Sequence, residues 1–219
     1  MHKEWAGYWA EGRTGFHRSA VHEVLERHWE RLAPTADRRV LVPLCGKTLD
    51  LPWLASRCAE VVGSEWVEQA VQTFFAEQGL SPDKVALAEH QRYSSANLSL
   101  VQGDFMTLQA SEIGRFEACW DRAAMVALPQ QVRDRYVPSL VSLMQPGGRI
   151  LLVTYDTEKP IEEGPPYCVR PGEAAGRYAA FGQVTLLESI EHTPENNPKV
   201  REKGLPWMRE DVFLVELAD

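Results

Sequence analysis

Apolar positions in this chain follow two rhythms. Val21, Val24, Leu25, Trp29 and Leu32 recur at three- and four-residue steps, which predicts a helix with Ser19 as its N-cap and Pro34 as its stop. Residues 39–44 (RVLVPL) read as a short buried strand ending in the turn Cys45-Gly46-Lys47. A helix through Leu51, Trp53, Leu54 and Ala55 follows, then a strand over 61–65. Val67, Ala70, Val71, Phe74 and Phe75 form the next helical stripe, terminated by Gly79. Residues 81–97 are polar without a clear period and are expected to be a connection holding a short helix. Strands are expected over 98–102 and 116–121. Val132, Tyr136, Leu140, Leu143 and Met144 mark a helix that Pro138 should kink. Pro146-Gly147-Gly148 reads as a turn before an apolar strand over 149–155, and a Pro/Gly-rich loop covers 159–172. Residues 184–190 and 212–217 supply the last two strands.

Strands alternating with helices predict an α/β fold: a seven-stranded, mostly parallel sheet with helices on both faces. The last two strands lie close in sequence and are expected to form an antiparallel edge. Without internal repeats or a low-complexity linker, one domain is expected over 1–219, with an N-terminal lid and helix over 1–33 and the α/β core over 34–219.

Composition narrows the partners. Of 219 residues, 44% are hydrophobic and 25% charged, which excludes a disordered chain. No run approaches the roughly 18 apolar residues of a membrane span. Met1-His2-Lys3-Glu4-Trp5 meets charge too early for a secretory signal. A net charge of −8 argues against nonspecific binding to nucleic acid or to an anionic membrane. The four cysteines show no C-x-x-C pair and are expected to be free thiols in a reducing compartment. A cytoplasmic monomer acting on a small molecule, with no nucleic-acid or membrane partner, is the expectation. His17, His22 and His28 are spaced by five and six residues, off a common helical face, and no metal is expected.

Ligands of doubly wound sheets bind beyond the carboxyl ends of the strands. The first strand ends in Pro43-Leu44-Cys45-Gly46-Lys47, with neither G-x-G-x-x-G nor a Walker loop. Its single glycine, Gly46, suits a ligand without a pyrophosphate, or an ordinary tight turn. Cys45 reads as a small turn residue rather than a nucleophile. Glu65 ends the second strand, roughly 20 residues on, where a carboxylate can accept both ribose hydroxyls of a nucleoside; the alternative is a carboxylate at a helix start. Asp104 and Phe105 follow the third strand, placed for an adenine amine and ring, or for a capped turn. Asp121 and Arg122 follow the fourth. Trp5 and Trp9, in a polar N-terminal segment, suggest a lid. The sum is a nucleoside pocket without phosphate recognition, which is what an S-adenosylmethionine methyltransferase needs.

The chain resembles the bacterial thiopurine S-methyltransferase family. The segments that carry the resemblance are Trp5-x3-Trp9, Thr14-Gly15-Phe16-His17, residues 40–51 (VLVPLCGKTLDL) and Val62-Gly63-x-Glu65. They continue with Ala70-Val71-x-x-Phe74-Phe75, Gly103-Asp104-Phe105, Asp121-Arg122-Ala123-Ala124, Leu128-Pro129 and Glu202-Lys203-Gly204. The resemblance implies a Rossmann-like methyltransferase domain with S-adenosylmethionine as cofactor and S-adenosylhomocysteine as product. It implies cofactor contacts at Trp9, Leu44, Glu65 and Arg122, with Gly46 in the same loop and Asp104-Phe105 beside the adenine. Phe16 would lie over cofactor and substrate. Arg122 and a C-terminal arginine would meet the acceptor, Arg201 being the better match and Arg209 the competitor. The implied reaction is methylation of the sulfur of a small aromatic or heteroaromatic thiol, in which positioning outweighs base chemistry. Asp121 would orient Arg122 or take the acceptor proton through water. Alternatives are methylation of selenium or tellurium species or of anions such as halide or thiocyanate, and a non-catalytic nucleoside-binding regulatory module. Trp66 is unusually large for its place after the second strand.

Overall fold

The apolar runs assemble into one nine-stranded sheet in the computed structural model, which describes residues 2–33, 35–160 and 163–219. Strands β1 (Arg39–Val42), β2 (Glu60–Glu65), β5 (Leu98–Gln102), β6 (Phe116–Asp121) and β7 (Met144–Thr157) run parallel. Strand β9 (Met208–Leu217) pairs antiparallel with β7, and β8 (Gly182–His192) antiparallel with β9, the edge expected from the last two apolar runs. The opposite edge corrects the reading of residues 81–97. They form two antiparallel strands, β3 (Asp83–Ala86) and β4 (Gln91–Ser95), giving the order β3-β4-β5-β2-β1-β6-β7-β9-β8. The sheet therefore has nine strands rather than seven. All four β3 residues are exposed and only Tyr93 of β4 is buried, so this edge carries no alternating apolar face to read.

Period-two alternation splits the central strands between two cores. Val40, Val42, Trp120 and Leu151 face α2 (Glu23–Leu32), α3 (Asp50–Ala55) and α4 (Glu68–Glu77), which bring Leu25, Leu51, Leu54 and Phe74. Leu41, Cys119, Ile150 and Leu152 face α7 (Gln130–Ser142) and α8 (Pro171–Tyr178), which bring Tyr136, Leu140 and Tyr178. The remaining helices are α1 (His2–Ala10), α5 (Ala110–Ile113), α6 (Ala124–Ala127) and α9 (Pro198–Glu202).

Two local expectations change, at the start of α2 and at 146–148. Helix α2 begins at Glu23 and not after Ser19; its N-cap is His22, whose Nδ1 accepts the Val24 N–H at 3.3 Å. The stop assigned to Pro34 lies outside the described residues. Helix α7 continues through Pro138 to Ser142 as one element. The expected turn at 146–148 lies within β7, where pairing with β6 jumps from Phe116↔Met144 to Ala118↔Arg149.

Candidate active site

Because β1, β2, β5 and β6 are parallel, their carboxyl ends open on the same edge of the sheet. The loop after β1 is laid against the end of β2: Leu44 N–H donates to Ser64 Oγ at 3.1 Å and Cys45 N–H to the Ser64 carbonyl at 2.8 Å. Gly46 has φ +55°, and a Cβ there would lie 2.3 Å from His17 Nε2, so conformation and space both demand glycine. Its N–H donates to Glu65 Oε2 at 2.8 Å, while Val67 N–H, at the start of α4, donates to Oε1 at 2.7 Å. Glu65 is buried; burial raises its pKa, and these N–H donors oppose the shift. Each oxygen keeps a lone pair beyond the one already used. The helix-start reading of Glu65 describes these bonds directly.

The N-terminal segment lies across these strand ends. Trp9 is buried against Val67 and Ala70, with Trp5 and Trp66 packed on the same cluster. The large Trp66 is thus part of the seat on which α1 docks. Phe16 is half exposed, edge-on to Trp5 and Trp9 at 5.5 and 6.2 Å. His17 Nδ1 lies 3.3 Å from the Thr14 carbonyl, and Nε2 accepts the Lys47 N–H at 2.9 Å. These partners assign the proton to Nδ1. Burial, the largest cause, lowers its pKa to about 4, so the ring is neutral at pH 7. Arg122 Nη1 donates to the Phe16 carbonyl at 3.4 Å, and Lys199 Nζ of α9 donates to the Gly15 carbonyl at 3.3 Å. Three parts of the fold therefore hold residues 14–17.

At the end of β6 neighbouring side chains part. Trp120 packs on the α2 side, and its indole N–H donates to Asp50 Oδ2 at 2.8 Å. Asp121 turns the other way: its Oδ2 accepts the Tyr136 hydroxyl at 2.7 Å and its Oδ1 the Met125 N–H at 3.3 Å. Burial raises its pKa to about 6. Asp121 does not orient Arg122 as expected: successive residues at a strand end point to opposite faces, and both Asp121 oxygens are taken on the core side. Tyr155 takes that place, its hydroxyl accepting from Arg122 Nη2 at 3.2 Å. Burial disfavours the Arg122 charge, but Tyr155, Asp50 and Glu210 together outweigh it and raise the pKa.

Asp104 accepts the Met106 N–H at 3.0 Å and caps the short 3-10 turn Phe105–Thr107. Phe105 is buried in the core, its ring 5.4 Å from that of Tyr136, so this segment turns its aromatic ring inward. Arg201 is exposed and donates to the Pro194 carbonyl of its own segment at 2.9 and 2.7 Å. Arg209 pairs with Asp156 and Asp211. The cation that reaches the lid from the C-terminal region is Lys199. Tyr155, His17 and Lys199 are the residues of this cluster that sequence reading did not assign to it. All four cysteines are free and buried, and burial pushes the Cys45 thiol up, away from thiolate chemistry. Among the described residues, no group of three or more His, Cys, Asp or Glu side chains is placed to hold a metal ion, and no helix is long and apolar enough to cross a membrane. A surface cleft of about 310 Å³ beside Phe75, Leu80 and Tyr93 is lined by none of the strand-end residues.

The family model described as Thiopurine S-methyltransferase matches residues 1–217. The chain is 41% identical over 212 residues to a thiopurine S-methyltransferase of Pseudomonas aeruginosa, covering 97% of each. It is 39% identical over 213 residues to the one from Vibrio parahaemolyticus, covering 97% of this chain and 96% of that one. Among solved structures, a SAM-dependent methyltransferase from Anabaena variabilis superposes with a TM-score of 0.65 at 15% identity, covering 99% of this chain and 94% of that one. A 1,6-didemethyltoxoflavin-N1-methyltransferase from Burkholderia thailandensis gives 0.65 at 14% identity, covering 100% and 87%. At such identities the two structures share the fold alone.

Proposed function

The chain belongs to the thiopurine S-methyltransferase family, and from that premise we propose that it moves a methyl group from S-adenosylmethionine to the sulfur of a small aromatic or heteroaromatic thiol. It is an S-adenosylmethionine-dependent methyltransferase. When bound, S-adenosylmethionine supplies an electrophilic methyl carbon on a sulfonium.

The residues present fit such a group. Glu65 offers a buried carboxylate with lone pairs to spare for two ribose hydroxyls, and Gly46 keeps the loop beside it free of a side chain. Asp104 and the backbone of Phe105 border the adenine side, and Leu44 the sulfonium side. Trp9 and Phe16 cover the cofactor and exclude water, so that attack takes place in a dry, fixed geometry. Arg122, a permanent cation, orients the acceptor, with Tyr155 holding its guanidinium. Lys199 takes the acceptor-side place assigned to Arg201. Asp121, turned into the core, supports the fold of the 121–125 turn and moves no proton. In this reading residues 34–219 form the catalytic core of one unit and 1–33 its lid and first helix.

The observation that carries the reading is the double clamp on one segment. His17 is tied to the β1 loop beside Glu65, while the carbonyl of adjacent Phe16 is tied to Arg122. A single aromatic cover thus spans the nucleoside side and the acceptor side. An acceptor panel of aryl thiols, selenols, thiocyanate and iodide, assayed for S-adenosylhomocysteine release, tests it. Aryl thiols are expected to dominate; turnover of the anions or selenols alone removes the thiol assignment.

A further inference from the structure

His22 is fully buried and makes an unusual pair of commitments. Its Nδ1 accepts the Val24 N–H, which puts the ring proton on Nε2. That Nε2–H has no partner among the described residues, and neither has the buried Nε–H of Arg122. A buried donor without an acceptor is costly and rare in native proteins. These two lie in one neighbourhood. The His22 ring sits edge-on to Trp120 at 5.7 Å, two residues before Arg122, whose charge acts on the ring. Asp50 joins them, accepting both the His22 backbone N–H at 2.9 Å and the Trp120 indole.

Charges of both signs surround the cluster. Burial first, and then Arg122, Arg18 and Arg27, lower the His22 pKa to about 2, so the ring is neutral and Nε2 remains a donor throughout the working range. Asp50 and Glu210 act on Arg122. Both oxygens of Asp50 are engaged, by the Trp120 indole and the His22 backbone N–H. Two N–H donors, one on a permanent cation, suit a soft anion with several lone pairs better than a neutral S–H group, whose sulfur accepts only weakly.

We propose that His22 Nε2–H and Arg122 Nε–H together hold the acceptor's sulfur as a thiolate. His22 is thereby a substrate-contacting residue that selects the ionised acceptor. The S–H proton goes to solvent before the lid closes, and the two donors stabilise the charge left on sulfur until that charge is consumed in forming the new S–C bond. This rests on the thiol-acceptor reading above.

The test is His22→Asn, which retains a side-chain oxygen to accept the Val24 N–H but lacks a donor reaching as far as Nε2. With an aryl thiol of near-neutral pKa, kcat/KM is expected to fall about tenfold or more at every pH. The acidic limb of kcat, which reports the bound acceptor, should move to higher pH, while the limb of kcat/KM, set by the free thiol, and S-adenosylmethionine affinity by calorimetry should stay as in wild type. An unmoved kcat limb or an unchanged kcat/KM overturns the proposal. A second measurement uses the wild type itself. In the complex with S-adenosylhomocysteine, the side-chain Nε2–H resonance of His22 should shift when the aryl thiol is added, and no shift overturns the proposal whether or not the variant folds. Wild-type enzyme that methylates no thiol sinks the functional reading instead, so the two failures are told apart.

Discussion

Glutamine at position 65 separates two duties of one carboxylate. In wild type, Glu65 accepts N–H groups from Gly46 at 2.8 Å and Val67 at 2.7 Å, and it is assigned the ribose hydroxyls as well. In Glu65→Gln the amide oxygen keeps one of these N–H groups and the amide nitrogen confronts the other. An unsatisfied buried donor costs about 1–3 kcal/mol. Relief of the buried charge, which already raises the Glu65 pKa, offsets part of it, so a net loss of about 1–2 kcal/mol is expected. At roughly 2–4 °C per kcal/mol for a chain of this size, Tm should fall by about 2–8 °C. Cofactor binding loses a charged acceptor for two hydroxyls, worth about 1.5–3 kcal/mol or roughly 10- to 150-fold in Kd. Calorimetry with S-adenosylmethionine, run well below the lowered Tm, reads the second effect apart from the first. Wild-type affinity in a variant that shows the stability loss would refute the ribose assignment and leave Glu65 as a carboxylate that ties the β1 loop to α4.

Deleting residues 1–17 removes no strand and leaves α2 through β9 intact, so circular dichroism should show a folded core while turnover falls at least tenfold; full activity would remove Trp9 and Phe16 from the cover. Arg122→Lys keeps the charge but loses the planar fork that reaches Phe16 and Tyr155. Its kcat/KM should drop more for a carboxylated aryl thiol than for a neutral one, and equal losses would place Arg122 on the cofactor side only. Asp121→Asn tests burial by pH. The native carboxyl titrates at about 6, above the ordinary 3.8, so its contribution to stability is fully present below 3.8 and is lost as pH rises through 6. Stability of the variant relative to wild type should therefore rise by about 1.4 kcal/mol between pH 5 and pH 8 in urea unfolding; His17 titrates in both proteins and cancels, and a flat difference would contradict the raised pKa.

What the sequence makes legible follows from which physical signals are local. The central parallel strands are buried on both faces, so 39–44 and 149–155 stand out as apolar runs. The exposed edge strand β3 carries no such signal, and Asp83–Ala86 passes for a polar connection. Ser19 is a good capping residue by type, yet the helix starts later because His22 both caps α2 and anchors to Asp50, a contact between residues 28 apart. Strand ends place Gly46, Glu65, Asp104 and Arg122 on one edge of the sheet, since parallel strands all end there. Side-chain direction is harder. Period-two alternation from Trp120 could have turned Asp121 away from Arg122, and that signal was available in the strand itself. Tyr155 reaches Arg122 from a separate strand, and Lys199 reaches Gly15 across 184 residues, so nothing local marks either.

The measurement that bears most directly on the account is transfer of an isotope-labelled methyl group from S-adenosylmethionine to an aryl thiol, followed by mass spectrometry of both products. Label in the methyl thioether, formed one-for-one with S-adenosylhomocysteine and absent when the thiol is withheld, is the predicted result. Protein that binds S-adenosylmethionine yet leaves the label on it with every aryl and heteroaryl thiol offered would contradict the account.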